Sequence, residues 1–320
     1  MRPGQGRRSL LFINQHYRPD VAATGHVMSD LAEHLAARGH LVEVLCARGR
    51  YPSGRLDSPE RERLKGVRVR RYWSPGAGRR RNIGRILDYA AFMLQVAGRL
   101  LFGARPAAIV SLTTPPMLPA LTAFIKRIRG VPYAIWSMDL HPEAEVAAGM
   151  LLRDGVLGRI LFSLADDGYR NADFVVVLGE CMRRLVVDKG VAPDRSPVVH
   201  VWTRREDVQP VPRAENRLAA ELGIGVEDFV VMYSGNAGLA HVFDPFLQAA
   251  RSFQRDGGTR FLFVGDGPRR KEIEGYAQRH GLSCLSYLDY FPRERLAESL
   301  SLADVCLLYT SDAADESSSV

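Results

Sequence analysis

The sequence predicts an α/β protein of two domains, each a parallel sheet covered by helices, and three observations carry this. The first is a repeated order of strand, glycine turn and helix. Phe229, Val230, Val231, Met232 and Tyr233 form a continuous apolar run, Ser234-Gly235-Asn236-Ala237-Gly238 follows, and Phe243, Phe246, Leu247 and Ala250 then recur at helical spacing. The same grammar returns at Arg260 to Val264 with Gly265-Asp266-Gly267-Pro268. The second is length: 320 residues suffice for two separate cores. The third is a polar, proline-bearing stretch, Thr203 to Arg213, that divides the chain. Consecutive units of this kind make a parallel sheet whose ligand sits beyond the carboxyl ends of its strands. Glycine turns there let backbone N–H groups approach an anion closely, although a tight turn in any α/β protein reads the same way.

From the N-terminus, Leu10 to Ile13 reads as a strand and Asn14 to Gly25 as a long polar loop carrying His16, Asp20, Thr24 and Gly25. A helix from about His26 to Arg38 stops at Gly39, and Leu41 to Leu45 is a second strand. A loop of that length at the carboxyl end of a strand is either functional or ordinary surface. Arg48 to Lys65 reads as a mobile connection before the strand Val67 to Tyr72. Arg79, Arg80, Arg81 and Arg85 then precede and enter an apolar helix, Ile83 to Phe102. That juxtaposition suits contact with an anionic membrane surface, and equally a core helix behind a solvated basic loop.

Ala108 to Leu112 is a strand, Met117 to Arg129 a helix and Tyr133 to Trp136 a strand. Asp139, His141 and Glu143 follow within five residues, either a chemical site or solvated loop charges. The helices Leu157 to Arg170 and Glu180 to Lys189 alternate with the strands Phe174 to Leu178 and Val198 to Trp202, completing a first domain.

Composition narrows the function classes. Hydrophobic residues make up 46% and charged residues 25% of the chain, ordinary for a globular protein. Cys46, Cys181, Cys284 and Cys306 lie far apart, so neither a disulfide framework nor a zinc site is indicated, and a reducing cytoplasm fits. A net charge of +7 and a pI near 9.4 suggest an acidic partner. Basic residues interleaved with aromatics along a groove are not found, which argues against nucleic acid. The longest uncharged run, Pro106 to Ile125, is broken by Pro115, Pro116 and Pro119, so no transmembrane helix is expected, and the short apolar run after the basic N-terminus is no signal peptide. No Walker A or GxGxxG sequence is present, which lowers the odds of a nicotinamide enzyme.

Gln15-His16-Tyr17-Arg18-Pro19-Asp20, Ala23-Thr24-Gly25 and Arg38-Gly39-His40 together resemble the amino-terminal domain of family 4 glycosyltransferases, most nearly the WbuB-like branch that builds O-antigen, capsule and exopolysaccharide. Asp139-Leu140-His141-Pro142-Glu143 is similar to that branch's Asp-Leu-Trp-Pro-Glu, with His141 in place of tryptophan. The two glycine turns are similar to its donor-domain loops. The resemblance implies a GT-B fold: two Rossmann-like domains facing across a cleft, an acceptor domain over residues 1–205 and a donor domain over 206–305. It further implies a retaining transfer of a sugar from a nucleotide-sugar donor to a lipid-linked or oligosaccharide acceptor, without cofactor or metal, at the inner face of the cytoplasmic membrane. Thr24, Gly25, Gly235, Asn236, His241, Gly265, Asp266 and Gly267 would face the donor, and Asp139, His141 and Glu143 the acceptor, where a carboxylate could orient or deprotonate a hydroxyl. Asn236 and His241 stand where many relatives carry arginine and lysine, which puts donor affinity at that loop in question.

The end departs from the family, whose paired glutamates beyond the equivalent of Val305 are missing. Cys306 to Glu316 resembles a translated sequencing adapter, with a natural acidic, serine-rich tail as the competing reading of residues 306–320. The donor domain is then expected to be incomplete, with the apolar faces of the Phe229 and Phe261 strands partly uncovered, and the chain as written poorly soluble and inactive. Two alternatives remain: a sugar-nucleotide 2-epimerase of the same fold, and a non-catalytic nucleic-acid- or anion-binding protein.

Overall fold

The computed structural model describes residues 9–20, 22–48, 58–75, 82–202, 208–238 and 241–307. The chain divides into two compact units, 1–202 and 203–320.

Unit 1 runs β1 (Leu10–Ile13), α1 (Ala23–Ala37), β2 (Val42–Ala47), β3 (Arg61–Leu64), β4 (Val67–Tyr72), α2 (Asn82–Phe102), β5 (Ala108–Leu112), α3 (Leu118–Arg129), β6 (Tyr133–Trp136), α4 (Glu143–Ala147), α5 (Val156–Arg170), β7 (Phe174–Val176) and α6 (Glu180–Asp188). The sheet order is β3-β4-β2-β1-β5-β6-β7, and only the β3–β4 pair is antiparallel. The chain builds β1, β2 and β4 toward one edge and restarts with β5 on the other side of β1. Strand order therefore reverses between β1 and β5, and the loops leaving those strands border the crevice where α/β sheets hold ligands. Side chains alternate between faces: Leu11, Ile13 and Leu45 pack with Phe92, Val96 and Leu100 of α2, whereas Phe12, Val44 and Cys46 pack with Val27, Met28 and Ala32 of α1.

Three elements differ from the sequence expectation. Helix α1 begins at Ala23, so Thr24 and Gly25 lie in its first turn and not in the preceding loop. The stretch read as a connection contains β3, whose register pairs Arg61 with Arg70; its sequence, Arg-Glu-Arg-Leu, hides the strand because an edge strand facing solvent is built from charge. Val198 to Trp202 is not a strand beyond a single parallel bridge, Val177 to Val198, although Trp202 stacks on Trp136 at 5.5 Å.

Unit 2 runs α7 (Arg217–Glu221), β8 (Phe229–Ser234), α8 (Asp244–Ser252), β9 (Thr259–Val264), α9 (Arg270–His280), β10 (Leu285–Leu288), α10 (Leu296–Leu300) and β11 (Val305–Leu307), with parallel order β10-β9-β8-β11. The faces expected to be partly bare are largely covered. Phe261 and Phe263 are buried with Phe246 and Leu247 of α8 and Ile273 of α9, while Val230 and Met232 are buried on the other face with Leu218, Ala219 and Leu302. Strand β11 completes this, pairing Cys306 with Met232 and Leu307 with Tyr233, so two residues assigned to the tail are part of the sheet. Asp304 leads into it, accepting hydrogen bonds from the Val230 N–H and from Arg213, each at 2.8 Å. Phe229 alone on β8 stays about half exposed, at 49%.

Among the described residues no helix is long and apolar enough to cross a membrane. Helix α2 buries Phe92, Val96 and Leu100 and leaves Ile86, Leu87, Leu94 and Phe102 exposed, so it is at once a core helix and an apolar surface. Arg85 is exposed at its start, whereas Arg79, Arg80 and Arg81 lie outside the described residues.

Candidate functional site

At the switch point of unit 1, Asn14 directly follows β1 and is fully buried. Its amide donates to the His16 carbonyl at 2.9 Å and to Thr24 Oγ1 at 3.4 Å, tying the loop to the first turn of α1. His16 Nδ1 lies 2.6 Å from Asp20 Oδ2, and Asp20 Oδ1 accepts the Ala22 N–H at 3.2 Å. A Cβ on Gly25 would come within 3.2 Å of the His16 backbone, so a bulkier residue there would push the helix off the loop. Arg71, buried at 2% exposure, pairs with Glu62 and donates to the Arg18 carbonyl at 2.6 Å, which fixes the far side of the loop. The Gln15 N–H then reaches the Thr114 carbonyl at 2.8 Å, joining this loop to the one after β5.

Thr113 extends the chain of contacts to the loop after β6. Its Oγ1 accepts the N–H groups of Met138 and Asp139 at 3.3 and 3.2 Å. The three predicted acceptor-side residues meet different fates. Asp139 is exposed. His141 lies 2.8 Å through Nδ1 from Glu145 Oε1, and lines a small cavity with Thr113, Met117 and Tyr169. Glu143 is held by Lys189, a lysine only 7% exposed that also bonds Asp166 at 2.9 Å. A carboxylate so paired ties α4 to α6 and positions the loop. Burial works to raise the Glu145 pKa, but the hydrogen bond and charge of His141 outweigh it and bring it below the usual carboxylate value. Glu145 thus stays ionised and orients the imidazole, the arrangement that fits a histidine for proton transfer at its other nitrogen.

The carboxyl edge of unit 2 is built from backbone. The Gly235 N–H donates to Val264 O at 2.9 Å and the Ala237 N–H to Asp266 O at 2.8 Å, so the two glycine loops run together as a seam. Gly267 has φ +143°, and a Cβ there would stand 2.6 Å from Ala237 O; Gly265, at φ +137°, lies under Gly235 O in the same way. Asn236 and Asp266 are exposed beside the seam. The Tyr233 hydroxyl donates to Asn236 O at 2.9 Å, and its oxygen takes a hydrogen bond from His241 Nδ1 at 3.0 Å, which assigns the imidazole tautomer. Arg269 binds the His241 carbonyl and pairs with Glu272 at 2.9 Å, and Arg270 starts α9 with its guanidinium on Gly265 O at 3.1 Å. Among the described residues no cluster of three or more His, Cys, Asp or Glu is arranged to hold a metal.

The first turn of α1 and the loops after β5 and β6 lie within the segment that a family model recognises, the loop after β1 precedes it and the glycine seam follows it: residues 23–202 match the glycosyl transferase 4-like domain. The chain belongs to that family. The probable glycosyltransferase WbjE of Pseudomonas aeruginosa is 25% identical over 71% of this chain and 56% of its own length. "Putative colanic acid biosynthesis glycosyl transferase WcaI" of Escherichia coli K12 is 22% identical over 93% of this chain and 76% of its own. The chain thus spans little more than half the length of one of these relatives and about three quarters of the other. Among solved structures, Anabaena HepE in complex with UDP and glucose superimposes with a TM-score of 0.63 at 16% identity, covering 93% of this chain and 73% of that one. The likeness is one of fold, and the two Rossmann-like units are those of the GT-B class.

Sequence reasoning missed four residues of this glycosyl transferase 4-like chain. Glu145 was visible as the i+4 partner of His141 on a short helix. Lys189 was not, because its partners Glu143 and Asp166 are brought to it only by folding. Arg269 and Arg270 follow directly on the Gly265-Asp266-Gly267-Pro268 turn, and their nearness to the first glycine loop comes from the seam.

Proposed function

We propose that this chain is the catalytic body of a retaining glycosyltransferase of cell-surface polysaccharide biosynthesis, moving a hexosyl or N-acetylhexosaminyl group from a nucleotide-sugar to a lipid-linked or oligosaccharide acceptor. The observation that carries the reading is the family match over 23–202, which takes in the loops at the switch point of unit 1 from Thr24 onward. The glycine seam supports a donor site in unit 2: its backbone leaves no side chain in the way of a diphosphate, and Arg269, paired with Glu272, and Arg270, paired with Glu274 and Asp289, place guanidinium groups beside it. The nucleotide-sugar is favoured as donor by the likeness to HepE, a protein solved with UDP and glucose. In unit 1 the His141–Glu145 pair is suited to take the proton of an acceptor hydroxyl, with Asp139 and Glu143 shaping the loop around it. Departure of the diphosphate is stabilised by backbone and arginine, so the reading needs no metal. The exposed face of α2 suits a peripheral seat on the inner membrane surface.

The test is transfer itself. The chain is incubated in EDTA with UDP-, GDP- and ADP-sugars and polyprenyl diphosphate-linked or oligosaccharide acceptors, and products are followed by mass spectrometry and anomeric NMR. The sequence predicts an inactive chain with a partly uncovered donor sheet; because the sheet of unit 2 is largely covered, we expect glycosylated acceptor with retained configuration. Epimerised or hydrolysed donor without any glycosylated acceptor would overturn the reading in favour of the same-fold alternative.

A further inference from the structure

The glycine seam of unit 2 is bounded on one side by the chain that leaves β10. The Gly265 N–H donates to the Leu288 carbonyl at 2.8 Å, so this chain runs directly beside the second glycine loop. Its first two residues are Asp289 and Tyr290. Tyr290 rests on the seam: a Cβ on Gly265 would stand 3.3 Å from the ring carbon Cε1. The ring is nevertheless 56% exposed, whereas Tyr233 and Phe243 are buried in the core of the unit. A half-exposed aromatic face is a platform for a flat ring. Stacking of this kind holds any nucleobase, because every base has a π face.

Asp289 supplies the selectivity that stacking lacks. The Arg270 guanidinium, 3.1 Å from Gly265 O, also bonds Asp289 Oδ1 at 2.5 Å, so one arginine fixes the carboxylate beside the seam. The Asp289 side chain is 87% exposed, and a carboxylate carries about four lone-pair sites, so the bond to Arg270 leaves acceptors for a ligand. An ionised carboxylate only accepts. Among the common nucleobases, guanine alone presents two adjacent donors on one edge, N1–H and the 2-amino group. Uracil sets a single N–H between two carbonyl oxygens, while adenine and cytosine set an amino group beside a bare ring nitrogen, so each turns a lone pair toward the carboxylate. We infer that Asp289 and Tyr290 form a base subsite selective for guanine, with Tyr290 stacked on the base and Asp289 accepting from N1–H and the 2-amino group, so that the donor is a GDP-sugar. The inference rests on the reading of the seam as the donor site. The likeness to HepE is one of fold and does not carry the identity of the base.

The experiment is calorimetric titration of the full chain with GDP, UDP, ADP and inosine diphosphate, whose base keeps the N1–H of guanine and lacks its 2-amino group. GDP should bind more tightly than each of the other three by about tenfold or more. Asp289→Asn exchanges one acceptor for a donor and should abolish the advantage of GDP over inosine diphosphate without weakening UDP. Tyr290→Leu should weaken all four by about tenfold. The comparison of GDP with inosine diphosphate on the unaltered chain needs no variant, so the test stands even if a substitution misfolds. UDP or ADP bound as tightly as GDP would overturn the guanine assignment while leaving the donor site in place. Equal binding of GDP and inosine diphosphate, or an undiminished GDP preference in Asp289→Asn, would remove Asp289 from the base subsite. Binding of none of the four would overturn the donor-site reading itself, and this inference with it.

Discussion

The two units solve the same problem at their carboxyl edges with different materials. Unit 1 fixes its loops with side chains: Asn14 on Thr24, Arg71 on Arg18, Thr113 on Asp139, Lys189 on Glu143. Unit 2 closes its two loops on each other with peptide groups, Gly235 on Val264 and Ala237 on Asp266, and Tyr233 and Arg270 add side-chain hydrogen bonds to the Asn236 and Gly265 carbonyls. The first arrangement can be changed by altering charge. The second is changed most by altering shape, because the close approach of its two loops depends on what glycine lacks.

The largest effect expected from this contrast is steric. Gly267→Val places a side chain 2.6 Å from the Ala237 backbone at a φ of +143° and should destabilise unit 2 by about 3 kcal/mol or more, read from the urea midpoint. If that variant unfolds like the wild type, the seam is not closed as described. Next, Lys189→Met removes the cation between Glu143 and Asp166 and should cost about 3 kcal/mol, much of it restored by adding Glu143→Gln. Without such rescue, the loss would belong to packing against Phe162 and Tyr169 and not to charge.

A smaller effect depends on pH. The Glu145 pKa is depressed in the folded chain, so its pairing with His141 adds stability above the ordinary carboxylate range and loses it as pH falls through the depressed value. Because Glu145 is partly solvated, the contribution is below about 1 kcal/mol. Unfolding midpoints at pH 7 and pH 3 should converge slightly more in Glu145→Gln than in the wild type. Smallest is a labelling contrast: burial pushes the Cys46 thiol up to about 12, so iodoacetamide at pH 8 should modify exposed Cys181 and leave Cys46 until urea opens unit 1.

The same contrast explains what could be read without coordinates. In unit 2 the strands β8 and β9 and their glycine turns were legible, because an apolar strand followed by glycines is a local pattern, whereas the short elements α7, β10, α10 and β11 were not named. The covering of its sheet was not legible either, since β11 recruits Cys306 and Leu307 and α7 and α10 contribute only five residues each. In unit 1 the strands β1, β2, β5 and β6 were legible from apolar runs, whereas charged β3 exists only through pairing with β4. The start of α1 was placed three residues late because Thr24 and Gly25 are poor helix formers, held there by Asn14 and by contact with His16. The candidates Asp139, His141 and Glu143 were named in sequence, but their partners Glu145 and Lys189 were not: Glu143 and His141 are two residues apart and take partners 46 and 4 residues away.

The most direct test of the account asks where a nucleoside diphosphate binds. Hydrogen–deuterium exchange of the chain, alone and with UDP, GDP or ADP, reads the backbone that forms the seam. The account predicts that one of the three slows exchange across 234–238 and 264–270. Protection confined to other residues, or none with any of the three, would contradict a donor site built on the glycine seam.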